Sequence, residues 1–220
     1  MLMYFESRAV AGAKLASELI DQYRYQDMAV IALDEGGMAV GYQIAIYLHT
    51  TLQQLVSETI RIHDESIDYA TVMPGGVVAK NPDLSESEAE YYYGEYKGEL
   101  EDQMREADSH LNWLLGDGGT IDPQALWHRN VILVSDGLSS GTPLDAAVEW
   151  LKPVGVNKII LAAPIIGLAA LDKAHILVDE LHILSVTPNY ISTSHYYDID
   201  DMPDAQMIRD MANSTILGWK

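Results

Sequence analysis

The sequence predicts an α/β protein in which a mostly parallel sheet is covered by helices on both faces. Two short apolar runs, 28–33 and 131–134, are each followed by a loop of small and polar residues and then by a helical pattern. A third apolar run, 158–163, follows the second of these helices. Strands that alternate with helices in this way are typical of a Rossmann-like sheet that is buried on both sides.

The first elements follow from local periodicity. Residues 7–23 place Ala11, Leu15 and Leu19 on one face at helical spacing, with Ser7 available as an N-cap. The run MAVIAL at 28–33 is short and wholly apolar, which favours a buried strand. A polar loop, Asp34 to Gly37, then precedes a helical pattern at 38–49.

The middle of the chain is less regular. Residues 70–78 predict a hairpin that turns at Pro74, Gly75 and Gly76. Residues 85–115 predict a long acidic helix that opens with Ser85 and Glu88 at capping-box spacing. A loop at 116–123, the second strand and helix, the strand at 158–163, a strand at HILSV and a final helix complete the chain. Because no linker interrupts it, we expect residues 1–220 to form one domain.

Composition limits the classes of partner. The 220 residues include 33 acidic and 13 basic side chains, a formal charge of −20, with no basic patch. Such a field repels nucleic acid and anionic membranes, so neither is expected as a partner. No apolar run is long enough to span a membrane, and the start of the chain does not have the pattern of a secretion signal. We therefore expect a cytoplasmic protein, and the absence of cysteine excludes thiolate chemistry.

The stretch VILVSDGLSSGTPLDAAVEW at 131–150 has three readings. A loop between a strand and a helix, with Ser139, Ser140, Gly141 and Thr142, could direct backbone N–H groups and hydroxyls at a phosphate. Residues 137–141 also satisfy G-x-S-x-G, the serine nucleophile elbow of hydrolases. The third reading is an ordinary connection whose serines cap the helix. A hydrolase using Ser139 is the weakest, because its later acid and histidine would have to come from Asp179, Asp198, His182 and His195.

Several segments resemble the type I phosphoribosyltransferase family, and in particular a bacterial group of phosphoribosyltransferases known by sequence. VILVSDGLSSGTPLDAA is similar to the family's phosphoribosyl pyrophosphate signature, and VIALDEGGMAVGYQIA resembles the pyrophosphate loop. YFESRAVAGAKLASEL resembles the group's opening helix, and SVTPNYISTSHYYDIDDMPDAQMI its C-terminal stretch. The four matches occur in the family's order, and they imply a type I phosphoribosyltransferase fold with a small hairpin or hood region.

The resemblance implies transfer of ribose 5-phosphate from phosphoribosyl pyrophosphate to a nitrogen acceptor that the sequence does not identify. Mg²⁺ would arrive with the donor, and the partners would be phosphorylated sugars or nucleotides. Asp136 would face the ribose hydroxyls and favour a cationic transition state. The implied positions are, for the 5-phosphate and donor, Ser135, Asp136, Gly137, Ser139, Ser140, Gly141 and Thr142; for the pyrophosphate loop, Asp34, Glu35, Gly36 and Gly37; and, as an option on the acceptor side, Tyr190 and Tyr197.

The chain departs from the family in ways that leave a second function open. Ser135 stands where the family usually has the first of two adjacent acids, and Asp34-Glu35 stands where this group usually has Pro-Arg. An anion about 4 Å from a pyrophosphate charge would cost roughly 4 kcal/mol at an effective dielectric near 20. The segment 60–72, which would cover the donor, is short and acidic. The alternative is therefore a non-catalytic member that binds a phosphate or nucleotide or acts in regulation.

Two further expectations concern metals and assembly. The acidic clusters around residues 63–68 and 198–204 are read as solvated loops, so no protein-built metal site is assigned. Members of the family often form dimers, which makes a homodimer one expected state. The sequence alone does not fix it.

Overall fold

A computed structural model describes residues 3–62, 67–74, 76–81, 83–115, 121 and 123–215, without the side chains of 112–115. The helices are α1 (Arg8–Tyr23), α2 (Glu35–Leu48), α3 (Glu86–Leu115), α4 (Thr142–Leu151), α5 (Leu168–Leu177) and α6 (Ala205–Ser214). The strands are β1 (Met28–Ala32), β2 (Thr51–Gln54), β3 (Glu58–Ile62), β4 (Ile67–Met73), β5 (Val77–Lys80), β6 (Asn130–Val134), β7 (Lys158–Gly167) and β8 (Glu180–Thr187).

The main sheet has five parallel strands in the order β2-β1-β6-β7-β8. Its central strands are mostly Val, Ile, Leu, Met and Ala residues, nearly all of them buried, as expected when helices cover both faces. One apolar cluster joins the sheet to α1 and α2, and another joins it to α4 and α5. The predicted α/β class with a mostly parallel sheet is confirmed.

A second, antiparallel sheet has the order β3-β4-β5 and packs against α3. The hairpin expected at 70–78 is confirmed, because β4 and β5 pair on either side of the turn. Strand β3 was not expected. It pairs with β4, and these two strands contain the described residues of the stretch 60–72 that was read as a short cover loop. Apolar side chains at alternate positions explain it, since Ile60 and Ile62 are buried against this sheet's own core.

Helix boundaries follow from their caps. Ser7 accepts a hydrogen bond from the backbone N–H of Val10 and so caps α1, as predicted. Ser85 and Glu88 form the predicted capping box at the start of α3. This helix is kinked at Tyr96, between Gly94 and Gly98.

The expected loop at 34–37 is corrected by the structure. Helix α2 begins at Glu35 rather than at Met38, so Glu35, Gly36 and Gly37 form its first turn. The side chain of Asp34 is the N-cap and accepts a hydrogen bond from Gly37 N–H at 2.5 Å. An aspartate in extended conformation before the first turn stabilises a helix start, and this outweighs the low helix preference of two glycines.

Residues 5–6, before α1, pair with residues 197–199, before α6. Residues 188–204, here called the closing segment, connect β8 to α6. Phe5 pairs with Tyr197 in a parallel bridge, and backbone hydrogen bonds join Asp198 N to Phe5 O and Ile199 N to Glu6 O, both at 2.9 Å. This pairing places the start of α1 against the closing segment. In the part of the chain that the structure describes, no helix is long and apolar enough to cross a membrane.

Candidate functional site

The candidate site lies at the carboxyl ends of β1 and β6, where the strand order reverses. Strand β2 lies on one side of β1 and β6 on the other, so the connections after β1 and β6 diverge and leave a crevice between them. Asp34 follows β1, and Ser135 and Asp136 follow β6. Ligands of open α/β sheets bind in such crevices.

The loop from Ser135 to Thr142, here called the β6–α4 loop, has a fixed base and an open tip. Leu138 extends the pairing of β6 with β7, because Leu138 N donates to Ile165 O at 3.1 Å and Gly167 N donates to Leu138 O at 2.8 Å. Ser139 and Ser140, which follow, are exposed. The loop therefore presents two hydroxyls from a rigid support.

Helix α4 starts directly after these serines. Gly141 is its N-cap and offers no side-chain bond to the helix N-terminus, and Pro143 occupies the first turn, where its missing N–H costs nothing. The amide groups of the first turn and the positive end of the helix dipole are thus left for an anion. Helix starts with uncapped amides in the first turn are common anion-binding sites in proteins.

Ser135 faces across the crevice to the β1 side. Its Oγ donates to Asp34 Oδ2 at 2.5 Å and accepts from Gly137 N at 3.1 Å. Asp34 in turn holds Gly37 N with its other oxygen. A chain of hydrogen bonds therefore joins the loop after β6 to the first turn of α2.

Asp136 is buried and lies between one cation and one acid. Its Oδ2 accepts a hydrogen bond from Arg8 Nε at 2.6 Å, and Arg8 is completely buried. Burial and the charge of Asp34 raise the pKa of Asp136 to about 7, although Arg8 acts in the opposite direction. Burial also raises the pKa of Asp34, against the hydrogen bonds from Ser135 and Gly37.

Glu35 differs from these groups in its exposure to solvent. It is exposed on the first turn of α2, whereas the next two residues, Gly36 and Gly37, are buried beneath Asp136 and β6. A negative charge at the first turn of a helix is stabilised by the helix dipole. The acidic residue is therefore at the exposed position of this turn, and glycines occupy its buried positions.

Comparison with known proteins identifies the family. The model of the phosphoribosyl transferase domain matches residues 4–189, which include β1, the β6–α4 loop and the start of the closing segment. The chain belongs to the phosphoribosyl transferase domain family.

Two relatives are proteins of Mycobacterium tuberculosis, strains CDC 1551 and H37Rv, each named a "Putative phosphoribosyl transferase". Each is 25% identical to this phosphoribosyl transferase domain over 165 residues, which is 73% of this chain and 35% of the relative. The chain thus spans about a third of the length of these relatives.

Solved structures share the fold. A protein from Thermus thermophilus, TT1426, aligns over 99% of both chains with a TM-score of 0.73 and 20% identity. A purine phosphoribosyltransferase from Pyrococcus horikoshii aligns over 93% of this chain and 98% of its own, with a TM-score of 0.50 and 15% identity.

The closing segment of this phosphoribosyl transferase domain brings two tyrosines to the site. Tyr197 is buried, its hydroxyl donates to Asp136 O at 2.6 Å, and its ring lies 4.7 Å from the Arg8 guanidinium carbon. Tyr190 is half-buried, bonds to Thr193 Oγ1 at 2.8 Å, and leaves no room for a side chain at Gly137. Burial raises the pKa of Tyr190 to about 12 and also raises that of Tyr197.

The sequence did not reveal two cations at the site. Arg8 is one, and nothing local in the first turn of α1 distinguishes it from a surface arginine. Lys173 on α5 is the other: its side chain packs on Gly141, and its Nζ lies 2.7 Å from Asp83 Oδ1 and 3.8 Å from Asp145 Oδ2. Only the fold brings these residues to the β6–α4 loop.

The residues proposed for a hydrolase triad do not all meet. Asp179 N donates to Ile159 O at one end of β7, while Leu138 pairs with Ile166. Seven residues of strand separate these points, about 23 Å. His182 pairs beside Ala162, four residues or about 13 Å from Ile166.

Of the acidic cluster near residue 63, Asp68 pairs with Arg61, and His63, Asp64 and Glu65 lie outside the described residues.

Proposed function

We propose that this domain transfers ribose 5-phosphate from phosphoribosyl pyrophosphate to a nitrogen acceptor. One observation carries the proposal: the β6–α4 loop offers exposed hydroxyls and an N-terminus of α4 without a side-chain cap, beside the buried carboxyl group of Asp136. The family match supports the reaction class. The acceptor is open.

Each part of the crevice has a role in this proposal. Ser139, Ser140, Gly141 and Thr142 bind the 5-phosphate through hydroxyls and amides. Asp136 accepts hydrogen bonds from the ribose hydroxyls and, when ionised, favours the positive charge that develops on the ribose as pyrophosphate leaves. Gly36 lets the first turn of α2 lie directly against the carboxyl group of Asp136, at the side of the crevice where the pyrophosphate is proposed to bind.

Mg²⁺ is proposed to enter with the donor. Among the described residues, no group of three or more His, Asp or Glu side chains is placed to hold a metal ion. Mg²⁺ in proteins is usually held by the phosphate oxygens of its substrate and by water, with one or two carboxylates. Bound there, it would neutralise charge on the pyrophosphate leaving group.

Tyr190 is the better of the two tyrosines for the acceptor side. Tyr190 is only half-buried, with its hydroxyl beside Gly137, whereas Tyr197 is buried and its hydroxyl is bonded to Asp136 O. Aromatic faces stack on planar acceptors with little loss of conformational freedom. Tyr197 is then better suited to holding the β6–α4 loop.

A second candidate function is favoured by the cap of α2. Asp34 occupies Gly37 N–H, one of the amides that a pyrophosphate would use at this helix start. A domain that retains the 5-phosphate loop but blocks the pyrophosphate would bind a phosphorylated sugar or nucleotide without transferring it. This is the non-catalytic alternative.

Calorimetric titration separates the two functions. Phosphoribosyl pyrophosphate is titrated into the protein with and without Mg²⁺, and ribose 5-phosphate and pyrophosphate are titrated separately. Mg²⁺-dependent binding of the whole donor supports the transferase, and binding of ribose 5-phosphate alone supports the alternative. No binding of any of the three would contradict both.

Variants of the loop locate the binding. Replacing both Ser139 and Ser140 by Ala should weaken the binding of ribose 5-phosphate by about tenfold or more for each hydroxyl removed. A hydrogen bond to a charged group contributes about 1.5–3 kcal/mol. Ser17→Ala, which removes an exposed hydroxyl on α1, is the matched control. Equal affinity in the double variant and the control would place the phosphate elsewhere.

A further inference from the structure

Arg8 is the most buried cation of the described chain and stands outside the signature loops. Its side chain is 0% exposed although it sits in the first turn of α1, where charged side chains normally face water. Such burial is costly unless the charge is paired. The partners of Arg8 therefore indicate its role.

These partners come from two distant parts of the chain. Nε binds Asp136 Oδ2 at 2.6 Å, and Nη1 binds Asp200 Oδ1 at 2.9 Å and Asp201 Oδ1 at 3.4 Å. Asp201 also accepts from the backbone N–H groups of Arg8 and Ala9. One guanidinium thus joins the β6–α4 loop to the closing segment.

The closing segment encloses the same group from a second side. The ring of Tyr197 lies against the guanidinium, and the hydroxyl of Tyr197 holds the carbonyl of Asp136. Asp136 is thereby fixed at its side chain by Arg8 and at its backbone by Tyr197. Residues 5–6, which precede Arg8, pair with residues 197–199, which include Tyr197.

One donor of Arg8 has no partner among the described residues. Nη2 is buried without a hydrogen bond, and in a guanidinium it shares an edge with Nε, which faces Asp136. A buried donor left unsatisfied lowers stability. Stability alone therefore does not account for the placement of Arg8.

We propose that Arg8 is the positioning residue for Asp136: it fixes the orientation of this carboxylate, favours its charged form, and shares its own charge between Asp136 and the carboxylates of Asp200 and Asp201 in the closing segment. The proposal rests on the proposed function for its consequence, because a charged, oriented Asp136 is what the ribose requires. The effect of Arg8 on the titration of the Asp136 carboxyl group can be measured without substrate.

The charges around Asp136 set the expected direction. Arg8 faces it from α1, Asp34 from the β1–α2 junction, and Tyr190 and Tyr197 from the closing segment; Asp200 and Asp201 act through Arg8. Removing the cation leaves burial and Asp34 unopposed, so the pKa of Asp136 should rise. Removing Asp201 leaves Arg8 more fully to Asp136, so the pKa should fall.

The experiment titrates the carboxyl ¹³C signal of Asp136, assigned with Asp136→Asn, in protein labelled at aspartate. In Arg8→Gln the midpoint should rise by about 1–3 pH units, the effect of losing an opposite charge at contact distance. In Asp201→Asn it should fall. Arg105→Gln, which removes an exposed arginine on α3, is the matched control and should leave it unchanged.

The two variants keep the proposal falsifiable. Arg8→Gln leaves the buried Asp136 without its cation, and if it does not fold, Asp201→Asn, which retains Arg8, still tests the coupling. An unchanged Asp136 midpoint in every variant that folds would overturn the proposal.

Donor titrations then separate this proposal from the proposed function. In a transferase, affinity for the Mg²⁺ complex of phosphoribosyl pyrophosphate should fall as pH is lowered through the Asp136 midpoint of each variant. Shifted midpoints without any donor binding would support the role of Arg8 and contradict the transferase. Donor binding together with an Asp136 midpoint that is the same in all variants would support the transferase and contradict the role of Arg8.

Discussion

The carboxyl group of Asp136 occupies the space that a side chain at position 36 would need. An ideal Cβ on Gly36 would lie closer than 3.0 Å to Cγ and both oxygens of Asp136. The first turn of α2 and the loop after β6 are therefore in direct contact, and glycine at position 36 is a condition of that contact.

Gly36→Ala should consequently displace Asp136 and weaken both stability and donor binding. We expect a loss of about 1–3 kcal/mol in the free energy of unfolding, as for overpacked sites, measured by urea denaturation. Gly94→Ala is the matched control, because it lies in α3 with nothing within 4 Å of its Cβ and should be neutral or stabilising by up to about 1 kcal/mol. Equal effects of the two changes would contradict the contact.

The raised pKa of Asp136 predicts how stability varies with pH. The folded protein holds this proton up to about pH 7, whereas an unfolded aspartate loses it near 3.9. The folded state therefore binds more protons between these values, and its stability should fall as pH rises from about 4 to about 7.

Denaturation midpoints measured between about pH 5 and pH 8, in the native protein and in Asp136→Asn, check this prediction. Burial lowers the pKa of His182, which gives a slope of opposite sign around its ordinary pKa, so the difference between the two curves is the relevant quantity. Parallel curves would mean that Asp136 does not titrate in this range.

Glu35→Arg tests whether the acidic α2 start limits donor binding. Because Glu35 is exposed, the charge reversal should raise affinity for phosphoribosyl pyrophosphate at low salt by up to about 5-fold, the range of exposed charge pairs. The gain should shrink as salt is added. Stability should fall by about 0.3–1 kcal/mol through the helix dipole.

Glu86→Arg provides the matched control, since Glu86 is also exposed at the first position of a helix, α3. It should show the same loss of stability without a gain in affinity. A donor affinity that is identical in the two variants would place the pyrophosphate away from α2.

Ser139 is expected not to act as a hydrolytic nucleophile. An active-site phosphonate probe should leave the native protein unlabelled, because Asp179 and His182 lie beside Ile159 and Ala162, well away from the β6–α4 loop, and the ring of His195 is bonded to Tyr4. Mass spectrometry of the intact protein measures the adduct. Labelling that disappears in Ser139→Ala would reinstate the hydrolase.

The sequence predicted what is encoded locally. Apolar runs gave three of the buried strands, and the Ser and Gly residues at 139–141 identified the loop that faces the crevice. The start of α2 was wrong because Gly36 and Gly37 were taken as a loop, whereas Asp34 supplies a cap that starts the helix at Glu35. Here a single side-chain hydrogen bond outweighed glycine's low helix propensity.

The electrostatic part of the site could not be read from the sequence in the same way. Arg8 lies 128 residues before Asp136 and 193 residues before Asp201 in the sequence. Contacts between residues so far apart produce no periodic pattern in the sequence. Lys173 reaches Asp83 across 90 residues. Such contacts follow from strand order and from the pairing of Phe5 with Tyr197, which only the assembled fold defines.

The pairing of residues 5–6 with residues 197–199 has a consequence for biosynthesis. Ribosomes add about 5–20 residues each second, so Arg8 is made roughly 10–40 s before Asp201, its partner 193 residues later. The sheet strands from β1 to β7 can associate during this interval, but Asp136 acquires its full surroundings only when residues 197–201 have left the exit tunnel. A nascent chain arrested before Tyr197 should therefore contain most of the fold and still lack the completed crevice.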